Sequence, residues 1–132
     1  MLAPMTRNGL ARLLVVHGFI TLAAGFALIG TPPLIPRTVG IHLADDAYLI
    51  AYLLAGAEIG FAVLSFGGSR LEDPRALRLI VWSCIAFHGS SAVLETYSYI
   101  RGVNIVVLGN VAARLSFVGL FVSSLRNLRV ST

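Results

Sequence analysis

The sequence predicts an all-α fold: a four-helix transmembrane bundle with both termini in the cytoplasm. Three observations carry that prediction. Of 132 residues, 57% are hydrophobic and only 12% are charged, roughly half the charge of an ordinary soluble domain. Mean hydropathy is +0.86. Four apolar stretches reach the roughly 20 residues that a membrane-spanning helix needs, and the short connections between them favour antiparallel neighbours in one bundle. So few charges cannot cover a water-facing surface, which excludes a soluble globular enzyme and a disordered tail. The ten basic residues are all arginine and give a pI near 10.0. They are scattered at the edges of the apolar stretches rather than gathered on one face, so nucleic acid is excluded as a partner.

The first helix is predicted at about residues 10–30, interrupted only by Arg12 and His17. Thr31-Pro32-Pro33 and Pro36 stop it, because proline lacks a donor and biases its predecessor away from helix. Ala23-Ala24-Gly25 faintly resembles a cleavage site. The apolar run is longer than a signal peptide's, however, and the helix is expected to stay uncleaved. The second helix covers about 47–66, with Asp45 and Asp46 as caps, Glu58 as its one charge and Gly67-Gly68 as its end. Asp73-Pro74 reads as N-cap and first helical residue of the third helix, about 77–99, which carries Arg78, His88 and Glu95. Gly102 separates it from the fourth, about 103–125, which carries Arg114. The whole chain, 1–132, reads as a single domain. Its one cysteine, Cys84, excludes an intramolecular disulfide and a multi-cysteine metal site.

Arginine placement sets the expected orientation. Arg7, Arg12, Arg70, Arg75, Arg78, Arg126 and Arg129 fall on one side, and only Arg37 and Arg101 on the other. That predicts a multi-pass inner-membrane protein with N-in, C-in topology. All four tyrosines, Tyr48, Tyr52, Tyr97 and Tyr99, then lie at the outer interface as an aromatic belt. The cytoplasmic segment from Gly67 to Arg78 reads as a solvated loop touching anionic headgroups, or as a docking site for a soluble partner.

Ionisable groups at membrane depth are costly and persist where they face a bundle interior and find a partner. Glu58, His88 and Arg114 each stand eleven residues from the outer end of their helix, about 16 Å down at the helical rise. Asn110 lies about 10 Å down and Glu95 about 6 Å. His88, Ser91 and Glu95 share one face of the third helix, with Cys84 a turn below, and Asn110 and Arg114 share a face of the fourth. Glu58 sits among Ala51, Ala55, Ala62 and Ser65, beside a GxxxG pair, Gly56 and Gly60, that permits close helix approach, as Gly18 and Gly25 do on the first helix.

One polar seam results, and it reads in two ways. In the first, Arg114 pairs with Glu58 or Glu95, His88 joins the network, and the set fixes helix order. In the second, the seam binds a quinone head group, a lipid, a proton or a metal. Two carboxylates against one arginine leave one carboxylate to be protonated, paired with His88 or ligand-linked. His17 and His88 are candidate haem ligands at depths differing by about one turn. His88, Glu95 and Glu58 are metal-ligand types, but His88 and Glu95 are about 10 Å apart along the axis, so no metal site is assigned there. His42 with Asp45 and Asp46 is a second weak metal candidate, for which capping is the simpler account. Cys84 and His88 are spaced for a nucleophile–base pair, although burial of a small cysteine explains Cys84 more simply. No catalytic residue is assigned.

Arg12-Leu-Leu-Val-Val-His17-Gly18 resembles the first-helix pattern of DoxX-like membrane proteins. Ala55-Gly-Ala-Glu58-Ile-Gly60, running on to Leu64 and Gly67, resembles that family's second helix. The resemblance covers about residues 10–70. It departs where a lysine often follows the His-Gly (Phe19 to Leu22 stand there) and in the seam of His88, Glu95 and Arg114. It implies a small four-helix protein associated with quinone-linked redox or larger oxidoreductase assemblies.

The function expected is that of an accessory membrane subunit packed on lipid, on other membrane subunits or on copies of itself. Its seam would hold a quinone or lipid head group, with Arg114 as donor, Glu58 as counter-charge and His88 as proton-exchanging neighbour. The alternative is an intramembrane isomerase or quinone-linked oxidoreductase using His88 with Glu58 or Glu95 as acid–base pair. A transporter ranks last, since no proline interrupts a span.

Overall fold

A computed structural model describes residues 6–126 and 128. Arg129, counted in the orientation argument, lies outside the described residues. The described residues form helices and turns with no strand. α1 (Arg7–Gly30) starts three residues earlier than predicted, because the Thr6 hydroxyl accepts the Gly9 N–H at 3.1 Å and caps the helix. It ends at Thr31, ahead of the two prolines. Pro36 does not act as a stop. It sits in the first turn of a short helix, α2 (Leu34–Thr38), where its missing donor costs nothing.

A 3-10 turn, Asp45–Ala47, leads into α3 (Tyr48–Arg70). Neither Asp45 nor Asp46 caps α3. Its N-cap is Ala47, with no side-chain bond, and the two carboxylates occupy the preceding turn, where they still favour the positive end of the helix dipole. Gly67 and Gly68 do not end α3, which runs on to Arg70. Gly68 is there for packing: a Cβ on it would meet Ile80 Cδ1 at 3.0 Å.

Asp73 caps α4 (Pro74–Ile100) as predicted, accepting from the Arg75 and Ala76 N–H groups at 3.0 and 3.3 Å. Gly102 turns the chain at φ +102°. α5 (Val107–Leu125) begins four residues later than predicted, because Asn104 Oδ1 accepts the Val106 N–H at 3.0 Å, an Asx turn that takes up residues ahead of the helix.

Four helices, α1, α3 with its leading turn, α4 and α5, are long and apolar enough to cross a membrane. Their outer faces carry exposed apolar side chains such as Phe19, Leu53, Leu79, Trp82, Val93 and Leu115. Water would penalise that exterior and lipid would not. The chain is therefore a small multi-pass membrane protein, and a bilayer is its environment.

The bundle is two helix pairs. α1 lies along α3 and α4 along α5, and the pairs meet one another sparsely. In α1 the buried residues Leu10, Leu14, His17, Gly18, Thr21, Gly25 and Leu28 form one stripe. The predicted close approach at Gly18 and Gly25 is present: a Cβ on Gly18 would strike the Phe66 ring at 2.8 Å, and one on Gly25 would meet Ile59 at 2.9 Å and the Ala55 carbonyl at 3.3 Å. Gly56 and Gly60 behave differently. Nothing lies within 4 Å of a Cβ at either, so this GxxxG faces away from the other helices.

The two ends of the bundle differ. At the end where α1 begins and α5 stops, Leu10, Leu13, Leu14, Leu77, Val81, Cys84 and Phe121 form a closed apolar cluster. Arginines pin the chain there. Arg7 donates to the carbonyls of Ser69 and Leu71, and Arg78 to that of Leu128 at 3.2 Å. At the opposite end α2 and the 101–106 turn cover a cavity.

Candidate functional site

The cavity has a volume of about 660 Å³. Leu28 of α1, Ile35 and Pro36 of α2, Ile50 and Leu54 of α3, and Val103, Val106 and Val107 around the α4–α5 turn form apolar walls. Ile50 is 67% exposed and Val106 is 53% exposed, so the rim reaches the outer face of the bundle. Glu95, Asn110 and Arg114 converge on the cavity, and the hydroxyl residues Thr38 and Ser98 also line it. A smaller chamber of about 150 Å³ adjoins it, sharing Leu28, Ile35, Leu54, Asn110, Ala113 and Arg114. Glu58, His88, Thr21 and Phe117 line the chamber as well.

The polar residues at membrane depth form one connected set. Glu95 Oε1 takes the Arg114 Nε–H at 2.8 Å and the Asn110 amide N–H at 2.7 Å. Arg114 reaches toward the α2 end to make this pair, its long stem closing the offset in depth that helical rise alone gives. Of the two carboxylates open to Arg114, Glu95 is the one paired. Arg114 also lies 5.5 Å over the Phe87 ring, a cation–π contact. Its Nη1 stands 3.5 Å from His88 Nδ1. His88 Nε2 stands 2.7 Å from His17 Nε2, and His17 Nδ1 stands 2.7 Å from Ser65 Oγ. The chain Asn110–Glu95–Arg114–His88–His17–Ser65 therefore crosses all four long helices.

Donor rules favour one direction along it. Arginine carries donors only, so the His88 nitrogen facing it is the ring's lone pair. A neutral His88 then bears its proton on Nε2 and donates to His17 Nε2. His17 bears its own on Nδ1 and donates to Ser65 Oγ. Phe117 packs on both rings, stacked on His88 at 5.1 Å and edge-on to His17 at 5.2 Å. Phe121 closes the far side of His17 at 5.3 Å.

Two imidazole nitrogens 2.7 Å apart are at hydrogen-bonding distance. Two nitrogens bound to one metal ion stand about 3 to 4 Å apart at the usual metal–nitrogen bond length, farther than these two. In this arrangement the His17–His88 pair shares a proton.

Glu58 is buried, at 6% exposure. It faces the small chamber and makes no ion pair or hydrogen bond among the described residues. The second oxygen of Glu95, Oε2, is buried without a partner. Cys84 sits in the apolar cluster below the histidines. Among the described residues, no three His, Cys, Asp or Glu side chains converge as a metal site would require.

Sequence reasoning named Glu58, His88, Glu95, Asn110 and Arg114; the structure sets Glu58, His88, Asn110 and Arg114 around the small chamber and Glu95 in the cavity beside it. It treated His17 apart from the seam, as a haem ligand, and Ser65 only as a small residue beside Glu58. The equal spacing of His17 and His88 from the membrane midplane, within one turn, was the available signal for their contact. Nothing in the sequence marked α2 as a wall of the cavity. Comparison with protein-family models, with curated proteins and with solved structures finds no match to this chain.

Proposed function

We propose that the protein is a membrane-embedded binding subunit for an apolar molecule with a hydrogen-bonding head group, a quinone or a lipid. The carrying observation is the asymmetry of the cavity: apolar walls of about 660 Å³ converge on Arg114, Asn110 and Glu95. Ligand sites have this form, with an apolar body and a few placed polar groups that orient the ligand. The rim at Ile50 and Val106 suits a ligand that arrives through lipid. Arg114 is the head-group donor, Glu95 its structural counter-charge, and Glu58 and His88 line the chamber beyond.

The arginine asymmetry supports an N-in, C-in placement in a bacterial inner membrane. The cavity then opens near the outer leaflet. The small size of the loops supports an accessory role beside other membrane subunits or as a homo-oligomer. The resemblance of residues 10–70 to DoxX-like proteins points the same way.

Native mass spectrometry of the protein released from its own membrane in mild detergent tests this. The expected result is a retained species a few hundred daltons above the chain mass, lost in Arg114→Leu and weakened in Asn110→Leu. Asn110 is exposed to the cavity and makes one side-chain bond, so its variant keeps the fold. A chain that carries no added mass from its native membrane and takes up neither quinone nor lipid on titration overturns the reading.

A further inference from the structure

Beneath the cavity, two imidazoles lie in direct contact in apolar surroundings. Every ring nitrogen of the pair has a polar neighbour: Ser65 Oγ and His17 Nδ1 at 2.7 Å, the two Nε2 atoms at 2.7 Å, and Arg114 Nη1 and His88 Nδ1 at 3.5 Å. The column is open at one end only. His88 lines the small chamber with Glu58 and Arg114. At the other end Ser65 is fully buried, and Leu14, Leu77, Val81, Cys84 and Phe121 fill the bundle.

We propose that His88 and His17, the latter held in register by Ser65, form a proton relay serving the cavity. The ligand's head group accordingly carries an exchangeable hydroxyl, as in a hydroquinone or another phenol-like acid on an apolar body. This rests on the cavity being a ligand site. A purely structural histidine pair would be served by either tautomer. Here Arg114 imposes one, and that one presents the His88 Nδ1 lone pair toward the chamber.

The transfer balances without any electron leaving the ligand. The head group's O–H bond breaks, and an N–H bond forms at His88 Nδ1. The Nε2 proton of His88 passes to His17 Nε2. His17 keeps its Nδ1 proton on Ser65 Oγ and holds the excess charge as imidazolium, while His88 is again neutral with its proton on Nδ1. The oxyanion left on the ligand faces the Arg114 guanidinium, whose long 3.5 Å contact to His88 yields to it. Return of the two protons restores the starting state. The ionisable groups around His88 are Arg114 from α5 at 3.5 Å, His17 from α1 at 2.7 Å, Glu58 from α3 across the small chamber, and Glu95 and Cys84 on its own helix. His88 receives the ligand's proton, and His17 is a positioning residue acting through it.

The test titrates the purified full chain in detergent with a hydroquinone bearing a ten-carbon tail and with the dimethyl ether of the same molecule. The hydroquinone is expected to bind at least about tenfold tighter. That preference should fall to within about twofold in His88→Gln and shrink in His17→Gln, with affinity for the ether retained. Side-chain nitrogen NMR of the wild type gives an independent readout. His88 is expected protonated at Nε2 and His17 at Nδ1 before ligand, with His88 switching to Nδ1 on adding the hydroquinone. If His88→Gln fails to fold, the wild-type probe comparison and these spectra decide. Equal affinity for the two probes, or unchanged spectra, overturns the relay and leaves the cavity reading standing. Binding of neither probe overturns the relay and counts against the cavity reading.

Discussion

In the α1–α3 pair the helices meet where side chains are missing. Gly18 admits the Phe66 ring and Gly25 admits Ile59 and the Ala55 carbonyl, so contact is made by close packing, which drives helix association in lipid. In the α4–α5 pair the helices meet through charge: Glu95 accepts from both Arg114 and Asn110. The first interface tolerates no added atom; the second tolerates no missing partner. A packed pair makes a rigid wall, and a polar pair leaves donors in reach of whatever lies beside it. The cavity forms where these two kinds of surface face each other across the sparse contact between the pairs.

Breaking the charged interface is expected to cost most. Glu95→Leu or Arg114→Leu alone leaves a desolvated charge without its partner and should lower unfolding free energy in mixed micelles by about 3 kcal/mol. The double variant should lose clearly less than the sum of the two, because no orphan charge remains. Additive losses would show that the pair is not coupled.

Overfilling the packed interface comes next. Gly25→Ala places a Cβ 2.9 Å from Ile59 and 3.3 Å from backbone and should cost about 1–2 kcal/mol in the same assay. Removing one hydrogen bond within the α1–α3 pair costs less. Ser65→Ala deletes the acceptor of His17 and should lose about 0.6–1 kcal/mol, with the His17 tautomer no longer fixed in nitrogen NMR. The smallest effect belongs to Gly56→Ala and Gly60→Ala, where a Cβ meets nothing. Each should stay within about 0.5 kcal/mol in the isolated chain. A larger loss there, growing with protein concentration, would show that copies of the chain pack on this stripe.

These contrasts also explain what could be read from the sequence. Span number, length and antiparallel order follow from apolar run length, which the bilayer sets. The membership of the polar set follows from the cost of ionisable groups at depth. Pairing within the set does not, because depth was reckoned at the backbone while Arg114 acts through a long flexible stem and bypasses Glu58 for Glu95. Gly56 and Gly60 show the same limit: a small-residue stripe permits close approach without saying which neighbour, if any, takes it. The cavity roof was illegible for another reason. Pro32, Pro33 and Pro36 signal a break in α1, but where residues 31–47 then lie is decided by tertiary contacts.

The apolar cluster at the terminal end carries a bioenergetic consequence. A column of ionisable side chains running the full depth of a bilayer would conduct protons across it. This column stops at Ser65, and Leu10, Leu13, Leu14, Leu77, Val81 and Phe121 insulate the remaining depth, where a charge would find no polar partner. Protons can shuttle between the small chamber and the His17–Ser65 contact while the apolar end of the bundle keeps the membrane electrically tight.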